Sequence, residues 1–434
     1  MSQVDGFVIA AKPAVYFGPG TIGELPVIVR ATGADQVVVV TDATLASDPV
    51  IETVLNVLAD AGLPARLFAG VPAHPTPGDL AAGAATVVQA AADAAITAAA
   101  SASAAAVAAM LTPSAPLVAP PLPVAPAPPP GSAGPRIALV AVGGGAAIDA
   151  AKGIAIAAGN PQRGRDLDGR PDFAVPALPI VAVPTTAGTG AETSALGLVT
   201  DPAGGRAFYV GHASAMPAAA ILDPDLTVGL PPAVTAGCGL DALTHALESY
   251  LSLQPNPWSD GIALQVIRMV ADSLPRAVMD GTDLAARSQM LLAAHMAGVA
   301  MASTGLGLCH AIGYSLGARW DIAHGAALAM LLPEVLRFNL PARIERMADV
   351  AFALGVGDTH ADTWLNAEAA IGAVTALRDD VGLNRLMSDF GITESDFAQI
   401  AADTLSDEAL ASTPRPPTTD DIHAILHATA TQPR

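Results

Sequence analysis

RIALVAVGGGAAIDAAKG (136–153) decides how the first half of the chain is read. A run of β-branched and small apolar residues stops at Gly143, Gly144 and Gly145, and a helical pattern carrying Asp149 and Lys152 follows. Lacking Cβ atoms, the three glycines let backbone N–H groups approach a pyrophosphate, and the helix N-terminus favours its charge. The pattern is not the G-x-G-x-x-G fingerprint, and a ligand-free strand-to-helix turn accounts for it equally well.

Working outward, the same form recurs. QVVVVTD (36–42) is a buried strand, DPVIETVLNVLADAGL (48–63) has helical spacing and a Gly stop, and ARLFAG (65–70) is another strand. PIVAVPTTAGTG (179–190) again runs from a strand into a polar loop. Strands alternating with helices predict an α/β domain with a doubly wound, Rossmann-like parallel sheet. Asp42, ending an early strand, can accept hydrogen bonds from an adenosine ribose and repel a 2′-phosphate, which favours NAD over NADP. Thr185, Thr186 and Thr189 sit on the loop at the sheet edge where such folds bind ligands, although a polar turn explains them too.

Beyond 223 the texture becomes helical, as in TAGCGLDALTHALESYL (235–251) and AARSQMLLAAHMAGVAMA (285–302). The expected organisation is an α/β dinucleotide-binding domain over 1–222 and an all-α metal-binding and substrate domain over 223–434, with the active site in the cleft between them. A low-complexity Ala/Pro stretch at about 81–135 reads as an insertion into the first domain, either a solvated surface excursion or a tether for a docking partner.

Asp241 and His245, four apart on a predicted helix, share one face. With His310 and His324 they would give one carboxylate and three imidazoles, an O/N set suited to a borderline divalent ion, Fe2+ or Zn2+. Each pair alone makes an ordinary hydrogen bond as readily. The apolar neighbours of His245 and His310 favour a shared partner, because an uncompensated buried imidazole is costly. His295, in the same helical half, is the competing candidate.

The 20 basic and 40 acidic residues, a formal charge of −20, argue against nucleic acid and anionic membrane surfaces. Only Cys238 and Cys309 occur, so no disulfide framework is expected. The N-terminal stretch lacks a secretory pattern, and the prolines of the 94–135 run disfavour a membrane span, so a cytoplasmic protein is expected.

Taken together, FGPGTIGELP (17–26), GGGAAIDAAK (143–152), PTTAGTGAE (184–192), ILDPDLTVGLPP (221–232), GLDALTHALESYLS (239–252), NPWSDGIAL (256–264) and GLCHAIGYSLGARWDIAHG (307–325) resemble the iron-containing, or group III, alcohol dehydrogenases. The resemblance spans most of the chain outside the Ala/Pro stretch and the tail. It implies that Asp241, His245, His310 and His324 are metal ligands. It further implies that Asp42, the Gly triplet and the Thr-rich loop contact the cofactor, and that Arg206 stands near a basic cofactor position of relatives; Asp149 and Lys152, on the helix after the glycines, are the further cofactor-binding candidates. A homo-oligomer acting on a small alcohol or aldehyde is expected. Two positions depart from the family: Ala146 replaces the usual Ser after the glycines, and Tyr314 replaces a His that in many relatives lies near the metal. Tyr314 is the candidate proton-relay residue here, although a phenol's ordinary pKa near 10 leaves that role unsettled.

The reaction so implied is hydride transfer between the nicotinamide and the carbinol carbon of a small alcohol. Alternatives are a specialised carbonyl reductase of maleylacetate or phosphonoacetaldehyde type, and a non-catalytic scaffold docking through the Ala/Pro stretch. Met296, Leu306 and Leu308 are candidate pocket walls.

Overall fold

The computed structural model describes residues 13–108, 136–160, 173–201 and 206–430. Its strands are β1 (Ala14–Phe17), β2 (Gln36–Asp42), β3 (Ala65–Val71), β4 (Ile137–Gly143), β5 (Ile180–Pro184), β6 (Leu196–Asp201), β7 (Arg206–Gly211) and β8 (Ala219–Leu222). Six form one parallel sheet in the order β1-β8-β5-β4-β2-β3, while β6 and β7 make a separate antiparallel hairpin. The helices between strands are α1 (Leu25–Ala31), α2 (Pro49–Asp60), α3 (Pro77–Ala108) and α4 (Gly145–Gly159).

The unbroken apolar run of β2 is explained by burial on both sides of the sheet. Val37 and Val39 join Val140 and Val142 of β4 against α1 and α2. Val38 and Val40 join Leu139 and Ala141 against α3 and α4. The helices that follow β2 and β4 therefore lie on opposite faces of adjacent strands, which opens a crevice at their C-terminal ends. Asp42 and the glycine triplet border it.

The Ala-rich part of the predicted insertion needs correction. Leu80, Ala84, Val87, Ala90 and Ala94 of α3 are buried, and Leu80 and Val87 belong to the core against α4. Small side chains at helical spacing let α3 pack closely, so its first turns are part of the domain and not a solvated excursion. Residues 109–135, and the docking role expected of them, lie outside the described residues.

The helical half comprises α5 (Pro232–Leu251), α6 (Pro257–Met279), α7 (Leu284–Thr304), α8 (Leu308–Trp320), α9 (His324–Asn339), α10 (Ile344–Ala353), α11 (Thr363–Asp380), α12 (Phe397–Leu405) and α13 (Thr419–Ala430). Helix α5 is buried continuously from Gly239 to Leu251, as expected for a helix enclosed by neighbours on all sides. No single described helix is long and apolar enough to cross a membrane.

Candidate metal and cofactor site

Asp241, His245 and Glu248 follow one another at i, i+4 and i+7 on α5, so a single buried stripe carries all three. His310 lies in the first turn of α8 and His324 begins α9. The start of α9 approaches α5 closely because two glycines meet: a Cβ on Gly325 would stand 2.1 Å from the Gly237 carbonyl oxygen. Gly237 is one turn before Asp241 and Gly325 directly follows His324, so this backbone contact sets the spacing between those ligand candidates.

The geometry converges on one oxygen. Asp241 Oδ1 lies 3.5 Å from His245 Nδ1, 3.5 Å from His310 Nε2 and 3.6 Å from His324 Nε2. The rings of His245 and His310 stack at 4.5 Å. Asp241 Oδ1, His245 Nδ1 and His310 Nε2 are all buried without a hydrogen-bond partner. Three orphaned polar atoms facing one point are unfavourable in a folded interior, and a cation there would satisfy them together. Ligand atoms of Asp241, His245 and His310 lie within 4.8 Å of one another and His324 Nε2 stands 3.6 Å from Asp241 Oδ1, a donor set of carboxylate and imidazoles that fits a divalent ion.

Electrostatics suit a cation at Asp241, His245 and His324, whereas the neighbouring carboxylates favour a charged His310. Burial pushes the His245 imidazole down to about 4 and lowers His324 in the same direction, so both present neutral lone pairs. Burial alone would raise the Asp241 carboxyl, yet His245, His324 and His310 hold it well below the usual carboxylate range. For His310, burial opposes charge, but the Glu248 and Asp241 carboxylates overcome it and raise the imidazole to about 9.

Glu248 was not singled out from sequence. Its Oε2 accepts from His310 Nδ1 at 2.6 Å, which fixes the ring with Nε2 toward Asp241. The same carboxylate accepts from the backbone N–H groups of Gly307 and Cys309, each at 2.7 Å. It thus caps α8 from another helix, replacing the side-chain cap that Gly307 cannot supply. Burial would raise the Glu248 carboxyl, but His310 and those amides hold it low.

A cleft of about 400 Å³ runs from these residues to the glycine triplet, lined by Gly145, Asp149 and Thr189 on one side and Asp241, His245, Tyr314 and His324 on the other. Gly143 has φ 144°, a conformation other residues rarely adopt, and turns the chain from β4 toward α4. A Cβ there would meet Ala147 at 2.8 Å and Asp42 Oδ2 at 3.4 Å. Asp42 is thus next to the cradle, its Oδ1 accepting from the Thr44 and Leu45 amides. Thr186 and Thr189 close over Gly144 and Gly145, whereas Thr185 is buried and anchors its amide to the Gly143 carbonyl.

Two expectations change. Lys152 is fully buried, and its ammonium donates to Asp149 Oδ1 at 3.0 Å and to the carbonyls of Ala191 and Leu196 at 2.7 and 2.5 Å. An ammonium has three protons, so Lys152 has none for a phosphate; it clamps the Thr-rich loop instead. Asp149 is the partner of Lys152 and accepts from the Leu198 amide through Oδ2, while its flank still faces the cleft. His295, the competing ligand, pairs with Glu192 at 3.0 Å and ties that loop to α7. Arg206 begins β7, but its side chain lies outside the described residues. Leu306 lines the cleft, Leu308 is core, and Met296 packs against the core.

Tyr314 stands one turn beyond His310 with its ring parallel to that of His324 at 5.4 Å. Burial pushes its phenol well above the usual range. Three further residues facing the cleft were not picked from sequence: His74, Tyr209 and Glu408. His74 follows β3 at the ligand-binding edge of the sheet, a position that could have signalled it.

Comparison with known proteins places the chain. The sequence profile of iron-containing alcohol dehydrogenases matches residues 12–124 and 133–224, and that of the C-terminal part of the Fe-containing alcohol dehydrogenase family matches 235–430. The chain belongs to the iron-containing alcohol dehydrogenase family. It is 32% identical to the NAD-dependent methanol dehydrogenase of Bacillus methanolicus over 414 residues, 95% of this chain and 97% of that protein. It is 42% identical to the probable alcohol dehydrogenase EutG of Escherichia coli over 290 residues, 67% of this chain and 72% of that one. The crystal structure of a 1,3-propanediol oxidoreductase superposes with a TM-score of 0.84 at 32% identity, over 98% of this chain and 100% of the other. As a member of this alcohol dehydrogenase family, the protein is an oxidoreductase that interconverts alcohols and aldehydes with NAD(P) and a metal.

Proposed function

We propose that this alcohol dehydrogenase acts on small, uncharged alcohols and their aldehydes, uses NAD in preference to NADP, and holds Fe2+ or Zn2+ through Asp241, His245, His310 and His324. The observation that carries this reading is the convergence of three partnerless buried donor atoms at the floor of a cleft whose other end is the glycine cradle. A bound divalent ion would supply Lewis-acid polarisation of the substrate oxygen, and a bound nicotinamide would supply the redox couple.

The chain's own residues do the rest. Glu248 orients His310, the Gly237–Gly325 contact positions His324, and Lys152 with Glu192–His295 holds the Thr-rich loop over the cradle. Tyr314 and Tyr209 stay protonated, because burial raises both phenols, so they act as hydrogen-bonding walls and not as bases. Asp42 beside Gly143 supports NAD, since its carboxylate would repel a 2′-phosphate. Among the described residues lining the cleft there is no Lys or Arg, while Asp149, Asp241 and Glu408 are acidic. A carboxylate or phosphonate substrate would find no ammonium or guanidinium partner there, which weighs against the maleylacetate and phosphonoacetaldehyde readings.

The test is metal analysis of the purified protein together with turnover on short alcohols, maleylacetate and phosphonoacetaldehyde with both cofactors. Chelation should abolish turnover, and Fe2+ or Zn2+ should restore it. If His245→Ala and His310→Ala kept full metal content and activity, the ligand assignment would be wrong.

A further inference from the structure

Tyr209 and Tyr314 come from different domains and meet across the cleft. Tyr209 projects from β7 of the hairpin, Tyr314 from α8, and their rings pack edge to face with centroids 6.4 Å apart. The Tyr314 ring in turn lies flat against His324 at 5.4 Å, with an interplanar angle of 10°. The order of layers is therefore ligand imidazole, Tyr314, Tyr209, and both phenols line the cavity. The positions around them are small: Ala207, Gly313, Gly317 and Ala318 also line this space. The two rings and Leu198, opposite Tyr209 in the hairpin, therefore carry the bulk of this wall, and the Ala and Gly neighbours cannot swing in to replace a lost ring.

We propose that Tyr209 is a specificity-determining residue: it closes the far wall of the cleft and limits the enzyme to alcohols of few carbons. The inference rests on the cleft being the alcohol site, as proposed above. It concerns this chain's own side chains: Tyr209 is carried by the hairpin, which supplies none of the ligand candidates. The edge-to-face ring contact with Tyr314 joins the hairpin to α8, so the wall is continuous between the two halves of the chain. In an apolar pocket each methylene that fits or fails to fit changes selectivity by a factor of about 10 or more. Removing one ring should therefore redistribute selectivity along an alcohol series, read as the ratio of kcat/KM for long and short substrates.

The experiment measures kcat/KM of the metal-loaded enzyme for ethanol, 1-butanol and 1-hexanol with NAD+, in the parent, Tyr209→Ala, Tyr209→Leu and Tyr209→Phe. The expected result is a rise of about tenfold in the hexanol-to-ethanol ratio for Tyr209→Ala. Tyr209→Leu, which keeps an apolar residue suited to a strand, should show a smaller rise in the same direction. Tyr209→Phe keeps the ring, so its ratio should match the parent. An unchanged ratio in both Ala and Leu variants that still oxidise ethanol overturns the proposal, as does a Phe variant that shifts the ratio as far as Ala. If the parent oxidises none of the three alcohols, the alcohol-site reading fails first, and the wall assignment falls with it.

Discussion

Glu248 supports the sharpest prediction. One buried carboxylate accepts three hydrogen bonds, from the Gly307 and Cys309 amides and from His310 Nδ1. Truncation in Glu248→Ala strands all three donors in a site where Glu248 itself is 8% exposed. Each stranded donor costs about 1–3 kcal/mol. Water entering the vacated volume favours the lower end of that range, giving about 3 kcal/mol in all. At roughly 2 °C per kcal/mol, the thermal midpoint should fall by about 6 °C. His310 also loses the partner that fixes its ring, so metal affinity should fall by about 10–100-fold. Glu248→Gln retains one acceptor oxygen and should lie between parent and Ala on both scales. Thermal melts of the stripped protein and competition with a chromophoric chelator measure the two quantities separately. An Ala variant matching the parent in both would refute the argument; one that melts early but binds metal normally would leave the helix cap and remove the orienting role.

Gly325→Ala places a Cβ where the Gly237 carbonyl already stands, so stability should drop by about 2 kcal/mol or more, and metal content measured by atomic emission should fall with it. Lys152→Met leaves the Ala191 and Leu196 carbonyls and Asp149 without their cation; the KM for NAD+ should rise several-fold while metal content is retained, and the reverse pattern would sink the clamp assignment. Asp403 is opposed by partial burial, but Arg319, Gln399 and Ser315 hold its carboxyl below the ordinary value. Because the folded pKa is the lower one, this contribution is present above pH ~4 and is lost as pH falls through the folded value. Asp403→Asn should therefore flatten the acid limb of a plot of midpoint against pH below about pH 4.

The architecture was legible where side-chain spacing carries it. The alternation in QVVVVTD serves two sheet faces, and the four ligand candidates were nameable because a carboxylate and imidazoles stood out among apolar neighbours. Glu248 was missed although it lies on the same stripe, seven residues after Asp241, because a lone Glu on a helix ordinarily reads as a solvated face. Lys152 misled in the opposite way. A Lys after a glycine cradle looks like a phosphate ligand, but at 1.5 Å per residue it sits about 10 Å along α4 from Gly145, where it meets loop carbonyls instead. The buried stripe of α3 was hidden by uniformity: alanine occupies the solvent face as well as the packed one, so hydropathy shows no contrast. The Tyr209–Tyr314 meeting depends on how a hairpin folds over another domain, which local spacing does not encode.

All four ligand candidates ride on α5, α8 and α9, and the sheet contributes none of them. A movement of the cradle side of the cleft against these helices would move no donor atom relative to another, so ion retention is expected to be independent of cofactor turnover. Losses of metal over repeated catalytic cycles should follow the integrity of the helical half alone, so work aimed at a longer-lived catalyst belongs around Gly237, Glu248 and Gly325, while changes of cofactor preference belong around Asp42.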